Sequence, residues 1–321
     1  MKQSVIWIML GAFSIACFFS CNGKGKQSAS QDRRFTVGIC VAQETEATRE
    51  MHLAIDERAV YEDANILWAS AEQNEAAQEK IFKEFFDKGA KGIIFEPVNL
   101  LTAGLLIDDA ISRGISIAGI GALPEAKQVG VFIMPDLENA AEKLVCGVVE
   151  KQRKQGRILI LTAEIPDSQE VTLLRSMLKN LRENGSEYQA FGLSTDSGTV
   201  RRAMNSILFA PSPPTAVIAT HALYILIASD LFRLGLVSPR PILACYSEER
   251  RARDALHNGL VDIVVDPQPA EIGTTALSSI VRLIKRLPLE THSKVIRSGQ
   301  LPIPIIKTPV QISYSQHISR H

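Results

Sequence analysis

The chain has 321 residues, enough for about two domains at roughly 150 residues each. Its 35 basic residues balance 35 acidic ones, so it lacks the global positive field of a nucleic-acid binder. Hydrophobic residues at 46% and charged residues at 22% exclude wholesale disorder.

The balance is uneven along the chain. Residues 1–20 contain one charge, Lys2, followed by an apolar run from Val5 to Phe19. A short positive head ahead of an apolar stretch has the layout of a secretory signal peptide. An uncleaved N-terminal anchor would have a similar pattern. Two cysteines favour a third outcome. Phe18-Phe19-Ser20-Cys21 and Ser14-Ile15-Ala16-Cys17 both resemble a bacterial lipobox, in which the Cys is acylated and becomes the first mature residue. Cys17 lies inside the apolar run, whereas Cys21 opens the polar tract Asn22-Gly23-Lys24-Gly25-Lys26, so Cys21 is preferred. The expectation is a signal peptide over 1–20 and a flexible lipid tether over 21–34. That tether carries a charge of +3, leaving residues 35–321 at −4.

From Phe35 onward short apolar runs alternate with amphipathic segments. Strands are expected over 35–42, 66–69, 92–95, 115–120 and 129–133. A second set is expected over 157–162, 188–193, 216–219, 241–245 and 262–265. Helical periodicity fills the gaps at 46–61, 72–88, 101–113, 137–154, 168–183, 197–208, 222–234, 248–258 and 270–285. This alternation predicts βαβ units and mostly parallel sheets. It pauses at Met134-Pro135-Asp136 and resumes at Gly156. Ten strands would stretch one open sheet. The fold class expected is therefore α/β, with two doubly wound, Rossmann-like lobes. Lys88-Gly89, Arg113-Gly114, Leu234-Gly235 and Asn184-Gly185 look like helix C-caps. Residues 301–312, with Pro302, Pro304 and Pro309, read as one extended crossing strand at an edge or hinge.

Several chemical motifs are absent. Gly119-Ile120-Gly121 follows a strand, but Pro124 replaces the third glycine of a dinucleotide fingerprint, so no cofactor is expected. No GxSxG, HExxH or CxxC occurs, which argues against a nucleophile elbow and a dedicated metal site. Cys40, Cys146 and Cys245 lie in apolar runs at irregular spacing and read as buried free thiols. An acid/base pair of Glu96 or Glu164 with His221 can be imagined, yet nothing in the sequence fixes its geometry. The chain is read as a non-enzyme.

What remains are the residues after each strand, because ligands of open α/β sheets bind outside the C-terminal strand ends. After the first strand come Gln43, Glu44, Thr45, Thr48 and Arg49; Thr45 and Thr48 could equally cap a helix. Asn99 suits an N-cap or a ligand contact. His221 follows the 216–219 strand as a candidate hydrogen-bond donor. Tyr246 and Ser247 offer a ring and a hydroxyl.

At this level the chain resembles the type I periplasmic sugar-binding proteins, the ribose/xylose/galactose-binding group related to LacI-type repressors. Val37-Gly38-Ile39 is similar to that family's opening strand. Ala71–Ile81 and Gly89–Asn99 are similar to its second and third βα units, and Ala110–Ile117 to its fourth. Gly156–Leu161 resembles the first strand of its C-terminal domain. Pro269–Gly273 resembles the re-entering helix, and Pro304–Val310 the closing crossover. The resemblance implies two hinged lobes, 35–134 plus 267–300 and 135–266 plus 301–321, crossed near Met134, Val265 and Leu301. It further implies a small sugar-like ligand between them, an ABC permease as partner, a monomer, and a place in the periplasm or cell envelope. The implied cleft residues are Gln43, Glu44, Thr48, Arg49, Asn99, Gly121, Thr220, His221, Tyr246, Ser247 and Gln268. The chain departs from the family's pattern at several of these. Ala118–Ala122 stands where an Asp-Arg pair is usual, Thr220-His221 where Asn-Asp is usual, and Tyr246-Ser247 where an aromatic precedes Asp. An aromatic platform after the first strand is missing. A ligand sensor or interaction protein of the same fold, without uptake, is the alternative reading.

Overall fold

A computed structural model describes residues 34–122, 129–152, 156–194, 196–208, 212–233, 240–289, 295–298 and 301–315. The expected signal peptide, Cys17, Cys21 and nearly all of the tether lie outside the described residues, as does Leu234-Gly235.

The first half alternates as β1 (Phe35–Val41), α1 (Glu46–Glu62), β2 (Ala64–Ser70), α2 (Glu75–Asp87), β3 (Gly92–Phe95), α3 (Leu100–Ser112), β4 (Ser116–Gly119) and β5 (Val131–Pro135). The second runs α4 (Leu137–Lys151), β6 (Ile158–Ala163), α5 (Ser168–Glu183), β7 (Tyr188–Leu193), α6 (Ser197–Leu208), β8 (Ala216–Ala219), α7 (Ala222–Arg233), β9 (Ile242–Tyr246), α8 (Arg250–His257) and β10 (Ile263–Asp266). The chain closes with α9 (Pro269–Ile284), β11 (Val295–Ser298), β12 (Leu301–Thr308) and β13 (Gln311–Tyr314). Two sheets result, ordered β11-β12-β5-β4-β3-β1-β2 and β13-β10-β9-β8-β6-β7. Their pairings are parallel except β11 with β12 and β13 with β10.

Each central strand is buried on both faces, and its residues part with a period of two. In β1, Val37 and Ile39 face the core under α1 and α9, with Met51, Ile55, Leu277 and Ile280. Cys40 faces the opposite core, with Phe82, Phe85, Phe95 and Ile107. In β6, Ile158 and Ile160 pack with Leu144, Leu173 and Met177, while Leu159 and Leu161 pack with Val217, Tyr224 and Leu243. Cys40 and Cys245 are buried free thiols; Cys146, expected to be buried, is only half-buried. Burial pushes the Cys40 thiol up to about 12. Among the described residues no helix is long and apolar enough to cross a membrane.

Helix entries follow a common rule. Thr45 and Thr48 form a capping box at α1. Asn74, Asn99, Asp136 and Asp167 cap α2, α3, α4 and α5 through their side-chain oxygens. Gly89, Gly114 and Gly185 end helices at positive φ, as their sequence contexts suggest.

Three crossings join the sheets: β5 to α4 at Pro135–Asp136, β10 to α9 at Asp266–Pro269, and β12 to β13 at Pro309–Val310. The last corrects the expectation that everything from residue 301 joins the second lobe. Residues Ile305–Thr308 pair parallel with Phe132–Pro135, which makes β12 part of the first sheet and moves the third crossing from Leu301 to Pro309. Pro302 and Pro304 sit in the half of β12 that pairs with β11 rather than with β5. At that side the missing N–H groups do not break the main parallel ladder.

Gly38 marks the tightest helix–sheet approach. A Cβ there would lie 2.3 Å from a ring carbon of buried Phe85. We expect Gly38→Ala to cost about 1–3 kcal/mol by overpacking. Urea unfolding with an unchanged m-value checks this; a loss under about 0.5 kcal/mol would show that the ring moves aside freely.

Candidate functional site

The C-terminal ends of strands from both sheets meet around one cavity of about 440 Å³. From the first sheet come Ala42 and Gln43 after β1, Gln73 after β2, Glu96 and Pro97 after β3, and Ile120 and Gly121 after β4. The second sheet supplies Asp167–Glu170 after β6, Thr220 and His221 after β8, Tyr246–Glu249 from β9 onward, and Pro267 after β10. Met51, Ile133, Leu137, Leu173 and Ile272 form apolar wall between these polar groups.

Glu96 is held on a built loop. Its carboxylate accepts from Ala42 N–H at 3.1 Å. Buried Gln78 donates to the Glu96 carbonyl at 2.8 Å and accepts from Val98 N–H at 3.1 Å, which pins the loop from below. Gly121 faces this carboxylate at φ 70°, and a Cβ there would stand 2.9 Å from the Glu96 Cγ. Only glycine gives both the left-handed backbone and the space.

Glu170, in the first turn of α5, organises the opposite wall. Its Oε1 accepts from the Thr162 hydroxyl at 2.8 Å, from Ala163 N–H at 2.9 Å and from the Thr220 hydroxyl. Thus β6, α5 and β8 are tied at one oxygen.

Seven of the eleven expected residues line the cavity: Gln43, Thr48, Gly121, Thr220, His221, Tyr246 and Ser247. Several are spent on the fold. The Thr48 hydroxyl caps α1, the Thr220 hydroxyl serves Glu170 and the Leu161 carbonyl, and the Ser247 hydroxyl accepts from Glu249 N–H at 3.0 Å. His221 Nδ1 accepts from Leu223 N–H at 3.1 Å, so its Nε2 bears the proton and lies 3.9 Å from the Glu249 carboxylate. Four expected residues do not line it. Glu44 accepts from the Trp68 indole at 3.3 Å and pairs with Arg49 at 3.4 Å; Asn99 caps α3 and donates to Glu75 at 2.7 Å. Gln268 sits at positive φ in the second crossing, and its amide reaches the Pro309 carbonyl in the third at 3.1 Å, a hinge contact rather than a cleft contact. Glu164 is not among the lining residues, so the imagined pairing of Glu164 with His221 is not assembled.

Of the carboxylates that line the cavity, sequence reading names only Glu96, as an imagined acid/base partner of His221. Glu96, Asp167, Glu170, Glu248 and Glu249 all line the cavity, and no Lys or Arg does so among the described residues. Glu96 directly follows β3, and Glu248 and Glu249 come just after Ser247 at the end of β9, so the strand-end rule held the signal. Burial pushes the Glu96 carboxyl above the ordinary glutamate value; its bond from Ala42 opposes this and the Glu248 charge adds to it. Burial also raises Glu248, while its own backbone N–H and the His221 ring work the other way and Glu249 and Asp266 add to the rise. Burial raises the Tyr246 phenol for the same reason. Among the described residues no three His, Cys, Asp or Glu side chains gather as a metal ion would require.

Contacts also span the two lobes. Gln169 of α5 donates to the Gly121 carbonyl. Arg253 of α8 pairs with Asp266 at 2.8 Å and reaches Glu50 of α1 at 3.3 Å. Lys307 of β12 holds Asp136 at 3.2 Å and Glu138 at 2.7 Å beside the first crossing.

A model of the periplasmic binding protein domain matches residues 42–287. The chain belongs to that family. Solved structures share the fold at low identity. A myo-inositol-bound ABC transporter solute-binding protein from Bacillus halodurans is 18% identical, with TM-score 0.69, covering 89% of this chain and 96% of its own. A periplasmic ribose ABC transporter protein from Conexibacter woesei is 14% identical, with TM-score 0.76, covering 89% and 94%. An Actinobacillus succinogenes solute-binding protein with bound D-allose is 14% identical, with TM-score 0.73, covering 88% and 98%. No curated protein matches the chain. This periplasmic-binding-protein domain has the two-lobed α/β architecture expected from its sequence.

Glu170 offers a direct test of how the second lobe's wall is built. We expect Glu170→Ala to lower stability by about 2–4 kcal/mol, because two hydroxyls and one backbone N–H lose their common acceptor. Urea unfolding reads it; a change under about 1 kcal/mol would mean that these donors are satisfied otherwise.

Proposed function

We propose that the chain is the extracytoplasmic solute receptor of an ABC transporter. It closes its two lobes on a small, hydroxyl-rich, sugar-like molecule and presents it to a permease. The observation that carries this reading is the cavity shared by strand ends of both lobes. Its size suits a single small ring, since ligand pockets span about 300–1,000 Å³. The family match and the solved structures with bound inositol and allose support the same reading.

The receptor works by hinge closure about the three crossings. In this reading Tyr246 packs against a face of the ring. Gln43 and the His221 Nε2–H donate, and the carboxylates accept hydroxyl protons. The sugar-binding pattern of the family is altered here at 118–122, 220–221 and 246–247, so the ligand's substitution pattern differs from that of common pentose and hexose receptors. Cys21 anchors the mature protein to a membrane through a lipid, with 21–34 as tether, and the receptor acts as a monomer. Support for the anchor is the lipobox-like sequence and the polar tract after it.

A thermal-shift screen with pentoses, hexoses, cyclitols and their amino derivatives tests the receptor reading. A true ligand at a hundredfold excess over Kd adds about 2.7 kcal/mol of stability. Absence of any shift across that panel would remove the sugar-like assignment.

A further inference from the structure

The chain enters the first lobe at the end opposite the cleft. Phe35 opens β1 and pairs with Ala64 at the start of β2, and Gly92 and Ser116 open β3 and β4 at the same end. Helices α1, α2 and α3 run down to this end before leading into those strands, and α9 reaches it where Ile284 packs beside Gly92.

Large apolar side chains stand in water here. In the last turn of α1, Val60 is 76% exposed and Tyr61 84%; Leu287, just after α9, is 48% exposed. Val60 and Tyr61 lie on the side of α1 turned away from Met51, Ile55 and Ala59, which pack under it. Basic groups share the same end. Lys88 and Lys91 are exposed in the turn between α2 and β3, and Lys285 and Arg286 at the end of α9. Lys285 Nζ stands 5.4 Å from the centre of the Phe35 ring, and Lys91 N–H donates to the Thr36 carbonyl at 2.8 Å. Both therefore flank the point where the chain enters β1. Asp63 and Asp87 are exposed at this end too, and Glu57 one turn before Tyr61. Residues 290–294 bring one Glu and one Lys, and so no net charge. Cations at helix C-termini offset the helix dipole, which gives Lys88 and Lys285 a place in the fold. It gives none to the exposed Val60, Tyr61 and Leu287.

We propose that this end of the first lobe rests on the membrane to which the tether leads. Val60, Tyr61 and Leu287 enter the headgroup layer, and the neighbouring cations meet the phosphates of anionic lipids. The inference rests on the anchored-receptor reading above and extends it. A flexible tether from Cys21 to Arg34 spans about 20 Å on average. It holds this end of the lobe near the headgroups, and the cleft lies at the far ends of the strands. The tether carries +3 and leads into a basic end, whereas residues 35–321 as a whole stand at −4. An acyl chain and a basic patch together hold a protein at a surface more firmly than either alone. Tyrosine suits the place, since its ring is apolar and its hydroxyl stays wet. Held in this way, the cleft opens to solvent while solute is collected.

The test is cosedimentation of the full mature chain with vesicles, made with Cys21→Ser so that no acyl chain contributes. Phosphatidylethanolamine–phosphatidylglycerol vesicles are compared with neutral phosphatidylcholine ones. We expect at least tenfold tighter binding to the anionic vesicles. The triple variant Lys88→Gln, Lys91→Gln and Lys285→Gln should weaken it at least tenfold. The double variant Val60→Ser and Tyr61→Ser should remove the binding that survives high salt. Both variants should melt at the wild-type temperature, because the side chains changed are exposed. Replacing the tether cations Lys24, Lys26 and Arg33 by Gln should leave a preference for anionic vesicles. Absence of vesicle binding, or binding unchanged in both surface variants, would overturn the proposal. Loss of all binding in the tether variant would assign it to the tether and overturn it equally. A dimer in sedimentation equilibrium that Tyr61→Ser breaks would give the surface to a second copy instead. The anchored-receptor reading fails separately, through equal palmitate-analogue labelling of wild type and Cys21→Ala or a silent thermal-shift screen, and neither depends on vesicle binding.

Discussion

A parallel sheet delivers the C-terminal ends of all its strands to one edge, and that constraint organises this protein. Two such sheets, β1–β5 with β12 and β6–β10, are set with those edges facing one cavity. Every helix that follows a strand must start near the same edge, with its first N–H groups unpaired. Thr45, Asn74, Asn99, Asp136 and Asp167 meet that need with their own side chains. The cleft is consequently dense in short polar side chains, and many of them serve the fold before any ligand arrives.

This competition explains which parts of the molecule were legible in the sequence. The strand and helix order could be read because buried parallel strands are short apolar runs and the helices between them are amphipathic. Gly89, Gly114 and Gly185 punctuated it correctly. The error at 301–308 has a physical origin. Proline-rich extended segments look alike whether they cross between lobes or pair in a sheet, and only the partner strand β5 decides. The candidate site was half legible. Strand-end position identified the right loops, but not which side chain in each loop is free. Asn99 and Thr48 are polar, well placed and committed to caps. Glu96, three residues before Asn99, was set aside as an acid/base candidate although it is the residue that faces the cavity. Glu170 was hidden for another reason. It lies within a helix pattern, and although Thr162 and Ala163 are close in sequence, its third donor, Thr220, is 50 residues away after β8.

The two lobes play unequal electrostatic parts. The first contributes one carboxylate, Glu96, on a loop stiffened by Gln78 and closed over by Gly121. The second contributes Asp167 and Glu170, which are spent on the cap and the wall, and the Glu248–Glu249 pair, next to Tyr246 and partly answered by His221. Around this core the inter-lobe contacts are themselves polar: Arg253 with Glu50, and Gln169 with the Gly121 carbonyl. Among the described residues, Arg253 and Lys307 are paired with carboxylates beside the crossings and do not line the cavity.

Glu96 and Glu248 come from different lobes and line one cavity, and the Glu248 charge adds to the rise of the Glu96 carboxyl. Titration of the Glu96 carboxyl by carbon-13 NMR, in the wild type and in Glu248→Gln, tests it most directly. Glu96 should titrate above the ordinary glutamate value and move part of the way down when Glu248 is neutralised. An ordinary value in the wild type, unchanged in the variant, would contradict it.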